Sequence, residues 1–209
     1  MASLKKAYFG MQCFWGVESS FAKLDGVLKT RVGYAGGTMP NPNYSHIGDH
    51  TEITEIQFDD SKVGYQKLLD WFWTHHDPTV QHKKQYASAI LYTDEDQKRL
   101  AEDSKNKEQK KYGSKKIETY IQPFDKFYQA EDYHQKYWLR CQNRLYKELN
   151  LTDEELVDSV LAAKMNAYLA GYNDFEVLKK LKEEYKLSED LVKVVESIAR
   201  AGGDPRSCH

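Results

Sequence analysis

Several features that mark whole classes of protein are missing from this sequence of 209 residues. Its 30 lysines and arginines are balanced by 32 aspartates and glutamates, which leaves a net charge of −2. This balance excludes the basic surface of a nucleic-acid-binding protein. No apolar run approaches the roughly 18 residues of a membrane span, and residues 1–6 lead into a strand without the apolar core of a signal peptide. We therefore expect a cytoplasmic protein that binds neither nucleic acid nor membranes.

Cysteine is scarce as well, and occurs only at Cys13, Cys141 and Cys208. The spacing of the three residues matches neither the ligand pairs of a metal site nor the even framework of a disulfide-bonded domain. We therefore expect no metal. In a reducing compartment such a cysteine is either a small buried apolar residue or a reactive thiol.

Cys13 has the sequence context of a reactive thiol. Residues 7–9 read as the end of a short buried strand, and an apolar pattern with helical spacing starts at residue 16. A cysteine at such a junction faces unpaired backbone N–H groups and the positive end of the helix dipole, which favour the thiolate near neutral pH. Phe14 and Trp15 follow directly, and their rings suit a small apolar group such as a methyl.

The order of the predicted elements indicates an α+β fold. Strands are predicted at residues 27–32, 52–58 and 87–92 after the first one, with helices from residue 16 and at residues 65–76. This is the β-α-β-β-α-β order of a ferredoxin-like split βαβ, two-layer core. Additional elements are predicted as a helix at 94–112, a strand at 117–122 and a helix at 133–149 whose apolar stripe contains Cys141.

From residue 150 the composition changes to that of a helical extension. Thr152 and Glu155 have the spacing of a capping box, and helices are predicted at residues 153–170, 173–185 and 188–201. The chain then continues through Gly202-Gly203 and Asp204-Pro205, which predict a flexible tail that carries Cys208. We therefore divide the chain into a catalytic domain, residues 1–149, and a C-terminal helical extension, residues 150–209.

The motif Cys13-Phe14-Trp15-Gly16 resembles the signature of the A-type peptide methionine sulfoxide reductases, with Gln12 where that family has glycine. Further motifs of the family occur in the same order along residues 5 to 140. They are Gly33-Tyr34-Ala35-Gly36-Gly37, Asn41-Pro42-Asn43-Tyr44, His50-Thr51-Glu52, His76-Asp77-Pro78, Gln85-Tyr86, Ser88-Ala89-Ile90 and Ala130-Glu131-Asp132-Tyr133-His134-Gln135. The helical extension does not match the usual C-terminal tail of this family.

The resemblance implies reduction of methionine-(S)-sulfoxide, free or in proteins, to methionine. Cys13 is the expected nucleophile and Glu52 the expected proton donor, provided that burial raises the pKa of its carboxyl. Tyr34 and Tyr86 are expected to donate hydrogen bonds to the departing oxygen. Where the family has an Asn-Asp pair this chain has Val80-Gln81, so Gln81 is expected to bind substrate together with the rings of Phe14 and Trp15.

The same resemblance implies a sulfenic acid on Cys13 that a second thiol converts to a disulfide. Cys208 on its tail is the first candidate for this resolving cysteine, Cys141 is the second, and direct attack by an external reductant is the third possibility. Thioredoxin is the expected electron donor and partner, no bound cofactor is expected, and the protein is expected to be a monomer.

Two other functions are compatible with parts of the sequence. One is a cysteine hydrolase or acyl-transferase with His76 or His134 as base, oriented by Glu52 or Asp77. The other is a metal or adaptor module that uses His75, His76, Asp77 and His82, although adjacent histidines point to different sides of a helix.

Overall fold

The core of the protein is a mixed six-stranded sheet within residues 4–204, the part of the chain that the computed structural model describes. Its strands are β1 (Leu4–Met11), β2 (Val27–Ala35), β3 (Thr51–Asp59), β4 (Ser88–Tyr92), β5 (Tyr120–Pro123) and β6 (Phe127–Gln129). They lie in the order β5-β4-β1-β3-β2-β6, and all neighbours are antiparallel except β4 and β5. The predicted α+β class is confirmed, while the finer ferredoxin-like description stays a prediction.

Three helices pack on one face of this sheet: α1 (Phe14–Phe21), α2 (Tyr65–Thr74) and α3 (Glu95–Tyr112). Alternation along β1 explains the packing, because Phe9 faces these helices and Tyr8 faces the other side. The ring of Phe9 lies 5.2 Å from that of Phe21 in α1 and 5.3 Å from that of Phe72 in α2. β1 thereby delivers the chain directly to Cys13 at the start of α1.

The edge strand β6 was not predicted, because three residues are too few for a periodic pattern. It pairs with the end of β2, which runs three residues further than the predicted strand at 27–32. Gly33 permits this pairing, since a Cβ at that position would lie 2.3 Å from the carbonyl oxygen of Tyr128.

The second half of the chain is helical, but its helices are shorter than predicted. They are α4 (Tyr137–Cys141), α5 (Asn143–Leu149), α6 (Asp153–Asp158), α7 (Val160–Leu169), α8 (Phe175–Tyr185) and α9 (Glu189–Arg200). The predicted helix at 133–149 is interrupted by Lys136, which has a left-handed backbone, and again at Gln142. The predicted helix at 153–170 is divided at Ser159, whose hydroxyl caps α7 by accepting from the amide of Ala162 at 3.0 Å.

Two smaller predictions about this half have different outcomes. The capping box of Thr152 and Glu155 is confirmed by both of its hydrogen bonds at the start of α6. Cys141, predicted on the apolar stripe of a helix, is half-buried at the end of α4. Cys208 and the predicted flexible tail after Asp204 lie outside the described residues.

The helical extension shares an apolar cluster with the earlier part of the chain. Ala22 after α1 and Trp138 in α4 belong to the same cluster as Ala163 and Tyr168 in α7 and Leu191 in α9. The division at residue 149 therefore stays a prediction. Within residues 4–204, no helix is both long enough and apolar enough to cross a membrane.

Candidate active site

Cys13 lies at the junction of β1 and α1, as predicted, and is the N-cap residue of the helix. Its side chain is half-buried and lines a cleft of about 590 Å³, together with residues of α1, the end of α2 and Tyr86. The first amides of α1 have no acceptor within the helix, so this end of the helix favours an anion. The cleft thus gives access to the thiol at a position that stabilises a thiolate.

The carboxyl group of Glu52 lies against the start of the same helix. Glu52 is 1% exposed near the beginning of β3, and its Oε2 accepts a hydrogen bond from the Phe14 amide at 3.2 Å. Its Oε1 accepts from Nε2 of Gln85 at 2.9 Å. Burial raises the pKa of Glu52 to about 7, although both hydrogen bonds and the charge of Lys83 act in the opposite direction. Glu52 is therefore able to hold a proton near neutral pH beside the helix that Cys13 begins.

Tyr34 and Tyr86 both lie within electrostatic reach of Glu52. Tyr34 is fully buried, and its hydroxyl donates to Oε2 of Glu131 at 2.8 Å. Burial, this hydrogen bond and the charges of Glu131 and Glu52 raise the pKa of Tyr34 far above its ordinary value. A side-chain hydrogen bond with Tyr44, burial and the charge of Glu52 likewise raise the pKa of Tyr86. Both phenols consequently keep their protons, and in this structure the proton of Tyr34 is donated to Glu131.

The two aromatic residues after Cys13 occupy different environments. Phe14 is buried beside Tyr34, with ring centroids 6.0 Å apart. Trp15 is partly exposed, stacks on Tyr137 with centroids 3.7 Å apart, and donates from its indole nitrogen to Nδ1 of His134 at 3.1 Å. Trp15 is thus the ring that lies closer to solvent, whereas Phe14 belongs to the core beneath the site.

His134 is a central residue of the site that the sequence interpretation assigned only to the alternative function. It is 1% exposed, and its ring contacts those of Phe14, Tyr44 and Tyr133 at 5.1, 4.7 and 4.1 Å. Burial lowers the pKa of His134, although the charge of Glu131 acts in the opposite direction. Its Nε2 has no hydrogen-bond partner within residues 4–204. An imidazole whose Nε2 lies 3.9 Å from Oε2 of Glu131, beyond hydrogen-bond distance, is therefore enclosed by the aromatic rings that follow Cys13.

The loop before β4 holds Gln81 in an exposed position. Gln81 does not line the cleft, and neither do Glu52 and Tyr34, so its expected contact with substrate stays a prediction. Gln85 contacts Glu52, and Nε2 of His82 lies 2.9 Å from Nε2 of Gln12. The backbone of Gln12 is strained, because its φ of +73° lies in the left-handed region that favours glycine.

The histidines at the end of α2 do not form the arrangements that the alternative functions need. His76 is hydrogen-bonded to the Phe72 carbonyl oxygen and to Oγ of Ser88, and burial lowers its pKa to about 4. His75 stacks on Trp71 with centroids 3.8 Å apart. In the part of the chain that the structure covers, residues 4–204, no three His, Cys, Asp or Glu side chains are grouped so that they could hold a metal ion.

Comparison with known protein families gives one consistent result. Residues 5–165 match the family model described as peptide methionine sulfoxide reductase. A protein of that name from Drosophila melanogaster is 47% identical over 175 residues, which are 83% of this chain and 71% of that protein. Peptide methionine sulfoxide reductase MsrA of Methanothermobacter thermautotrophicus is 43% identical over 148 residues, 66% of this chain and 88% of that protein.

Two solved structures resemble the fold. Mxr1 from Saccharomyces cerevisiae in reduced form aligns with a TM-score of 0.61 and 30% identity, over 68% of this chain and 87% of that one. Methionine sulfoxide reductase A of Corynebacterium diphtheriae aligns with a TM-score of 0.58 and 33% identity, over 68% of this chain and 76% of that one.

Proposed function

Since the chain belongs to the peptide methionine sulfoxide reductase family, we propose that its cleft reduces methionine-(S)-sulfoxide by transfer of the sulfoxide oxygen to Cys13. The protein is an oxidoreductase that reduces methionine sulfoxide through a thiol. We propose, in addition, the roles of the residues, the fate of the oxidised thiol and the identity of the electron donor. The observation that carries the residue roles is the buried Glu52 carboxyl, hydrogen-bonded to the first amide after Cys13.

In the first step the thiolate of Cys13 attacks the sulfoxide sulfur. Glu52 gives its proton to the sulfoxide oxygen, because a protonated oxygen leaves sulfur far more easily than an oxide does. Tyr34 and Tyr86 turn their hydroxyls from Glu131 and Tyr44, donate hydrogen bonds to the same oxygen and stabilise the charge that develops there. The substrate S–O bond and the transient bond between the two sulfurs then break as the protonated oxygen passes to Sγ of Cys13, so the products are methionine and a Cys13 sulfenic acid, and two electrons pass from the thiol to the substrate.

In the second step a thiol attacks the sulfenic acid, which releases water and forms a disulfide. We propose Cys208 for this role. Asp204, the last described residue, is held beside α4, because Nε2 of Gln142 donates to its Oδ2 at 2.8 Å. α4 also carries Tyr137, which stacks on Trp15, and four residues of chain reach up to about 14 Å when extended. Cys141 at the end of α4 is the second candidate.

Thioredoxin is the proposed electron donor, and its dithiol would reduce the disulfide by thiol exchange. The proposed substrates are oxidised proteins and free methionine sulfoxide. A cytoplasmic location, a monomeric state and the division into residues 1–149 and 150–209 complete the proposal. The antiparallel order β4-β1-β3-β2 of the inner strands supports a ferredoxin-like description of the core.

The pH dependence of methionine release tests the role of Glu52. Because its pKa lies at about 7 and the acid is the active form, the single-turnover rate should decline above about pH 7. The decline should approach about tenfold per pH unit. The measurement is methionine released from a stoichiometric dose of the sulfoxide between about pH 5 and about pH 9. A rate that keeps rising to the alkaline end, with wild-type folding intact, would remove Glu52 from the acid role.

A further inference from the structure

The C-terminal ends of α1 and of α7, a helix of the extension, are each capped by a lysine from the other segment. The last carbonyls of a helix have no partner within it. Lys164 of α7 donates from Nζ to the carbonyl oxygens of Ala22 at 2.8 Å and Leu24 at 3.0 Å, just after α1. In the opposite direction Lys23, also just after α1, donates to the carbonyl oxygen of Ala170, the C-cap residue of α7, at 2.8 Å. Each helix thus receives a cation at its C-terminal end from the segment of the other.

Burial of the Lys164 ammonium group has an unfavourable desolvation free energy. Lys164 is only 7% exposed, and burial lowers its pKa to about 8, with Asp25 and Asp174 acting in the opposite direction. Its ammonium group contacts carbonyl oxygens, and desolvation of a cation is unfavourable unless such contacts offset it.

α1 is also fixed at its middle by a second buried cation. Glu18 and Lys136 are fully buried, and Nζ of Lys136 lies 2.9 Å from Oε1 of Glu18. The backbone amide of Lys136, whose φ is +51°, donates to Oε2 of Glu18 at 2.9 Å. An eight-residue helix is too short to be stable alone, so these buried contacts determine where its N-terminus lies.

We propose that Lys164 is a positioning residue for Cys13, so that the helical extension is a working part of the active site. The charged cap fixes the axis of α1 and opposes the negative end of its dipole. The opposite end of the helix then holds Cys13 and the Phe14 amide against Glu52, in the orientation that supports an anion. This inference rests on the proposed reductase function.

The test compares Lys164→Met with the matched control Lys23→Met, because each removes one capping lysine and only the first removes the cap of α1. Two rates are measured on the full chain: alkylation of Cys13 by iodoacetamide at neutral pH, followed site by site, and methionine release in a single turnover. Thermal unfolding gives the loss of stability for each variant. Lys164→Met should lower both rates about fivefold, and Lys164→Arg, which keeps the charge, should restore them. Lys23→Met should lose comparable stability and keep both rates within about twofold of wild type.

Equal rate losses in Lys164→Met and Lys23→Met would overturn the proposal, because the lysines would then act only through stability. Wild-type rates in a folded Lys164→Met protein would overturn it as well. If Lys164→Met does not fold, Lys164→Gln replaces it with the same expected losses. Failure of both neutral variants to fold, while Lys164→Arg folds, would assign Lys164 to the fold as a whole and contradict a specific role. Alkylation of Cys13 does not depend on sulfoxide reduction. If the wild-type protein releases no methionine, the proposed function is wrong, but the alkylation rates of the variants still test the role of Lys164.

Discussion

Replacement of Cys13 by serine is expected to abolish methionine release from methionine sulfoxide. A serine hydroxyl is not ionised near neutral pH, and it cannot accept the sulfoxide oxygen, because that transfer would require a peroxide instead of a sulfenic acid. The rate in Cys13→Ser should therefore be indistinguishable from that without protein. The measurement is methionine formed in a single turnover, with circular dichroism as the check on folding.

The matched control for this variant is Cys141→Ser. Cys141 is half-buried at the end of α4 and does not line the cleft that contains Cys13. It should release its first equivalent of methionine at the wild-type rate. Substantial methionine release by Cys13→Ser would show that the oxygen does not pass to this thiol, and the proposed chemistry would then be wrong.

Replacement of Glu52 by glutamine is expected to slow methionine release by about 10²-fold, the usual contribution of a general acid. Glutamine preserves the shape of the side chain and can still accept from the Phe14 amide, so substrate affinity should change little.

The Glu52→Gln variant should be more stable than wild type above neutral pH. The folded-state pKa of about 7 exceeds the ordinary value of 4.5, so the folded protein binds the proton more tightly and loses stability as pH rises through that window.

The expected gain in the free energy of unfolding is roughly 3 kcal/mol at alkaline pH, and it should vanish at acidic pH, where Glu52 is protonated in both states. Glu55→Gln is the matched control on the same strand. Glu55 is 6% exposed and accepts from Nε of Arg31 at 2.7 Å and from Nη2 at 2.9 Å. Burial acts to raise the pKa of Glu55, but the bonds and charge of Arg31, with those of its other partners, outweigh it and lower the pKa. Glu55→Gln should therefore lose stability and keep the rate of methionine release. An unaltered rate in Glu52→Gln would exclude Glu52 as the acid.

The sequence predicted most of the sheet and the helices that pack on it, because their apolar residues alternate or recur with a clear period. Phe9 and Phe72 are examples, since each lies where the period of its element predicts a core contact. The breaks at Lys136 and Ser159 were not predictable from periodicity. At Lys136 the chain leaves the helical conformation to bring a buried ammonium group to Glu18, and the apolar pattern continues through both breaks.

Site residues with a recognisable local motif were easier to predict than residues whose role depends on contacts between distant parts of the sequence. Cys13 and Glu52 were identified from local context and motif, and the structure brings their segments together. His134 and Gln85 were quoted within motifs without a role in the reduction, since their contacts join segments 119 and 33 residues apart. Gln81 is exposed in the loop before β4, and its expected contact with substrate stays a prediction.

The measurement that tests the central claim most directly is mass mapping of the fully reduced protein after a stoichiometric dose of methionine sulfoxide, with no other reductant present. Our account predicts one equivalent of methionine and a disulfide between Cys13 and Cys208. Methionine together with a Cys13 sulfenic acid, or with a Cys13–Cys141 disulfide, would keep the reduction and exclude Cys208 as the resolving cysteine. An unmodified Cys13 and no methionine would contradict the account as a whole.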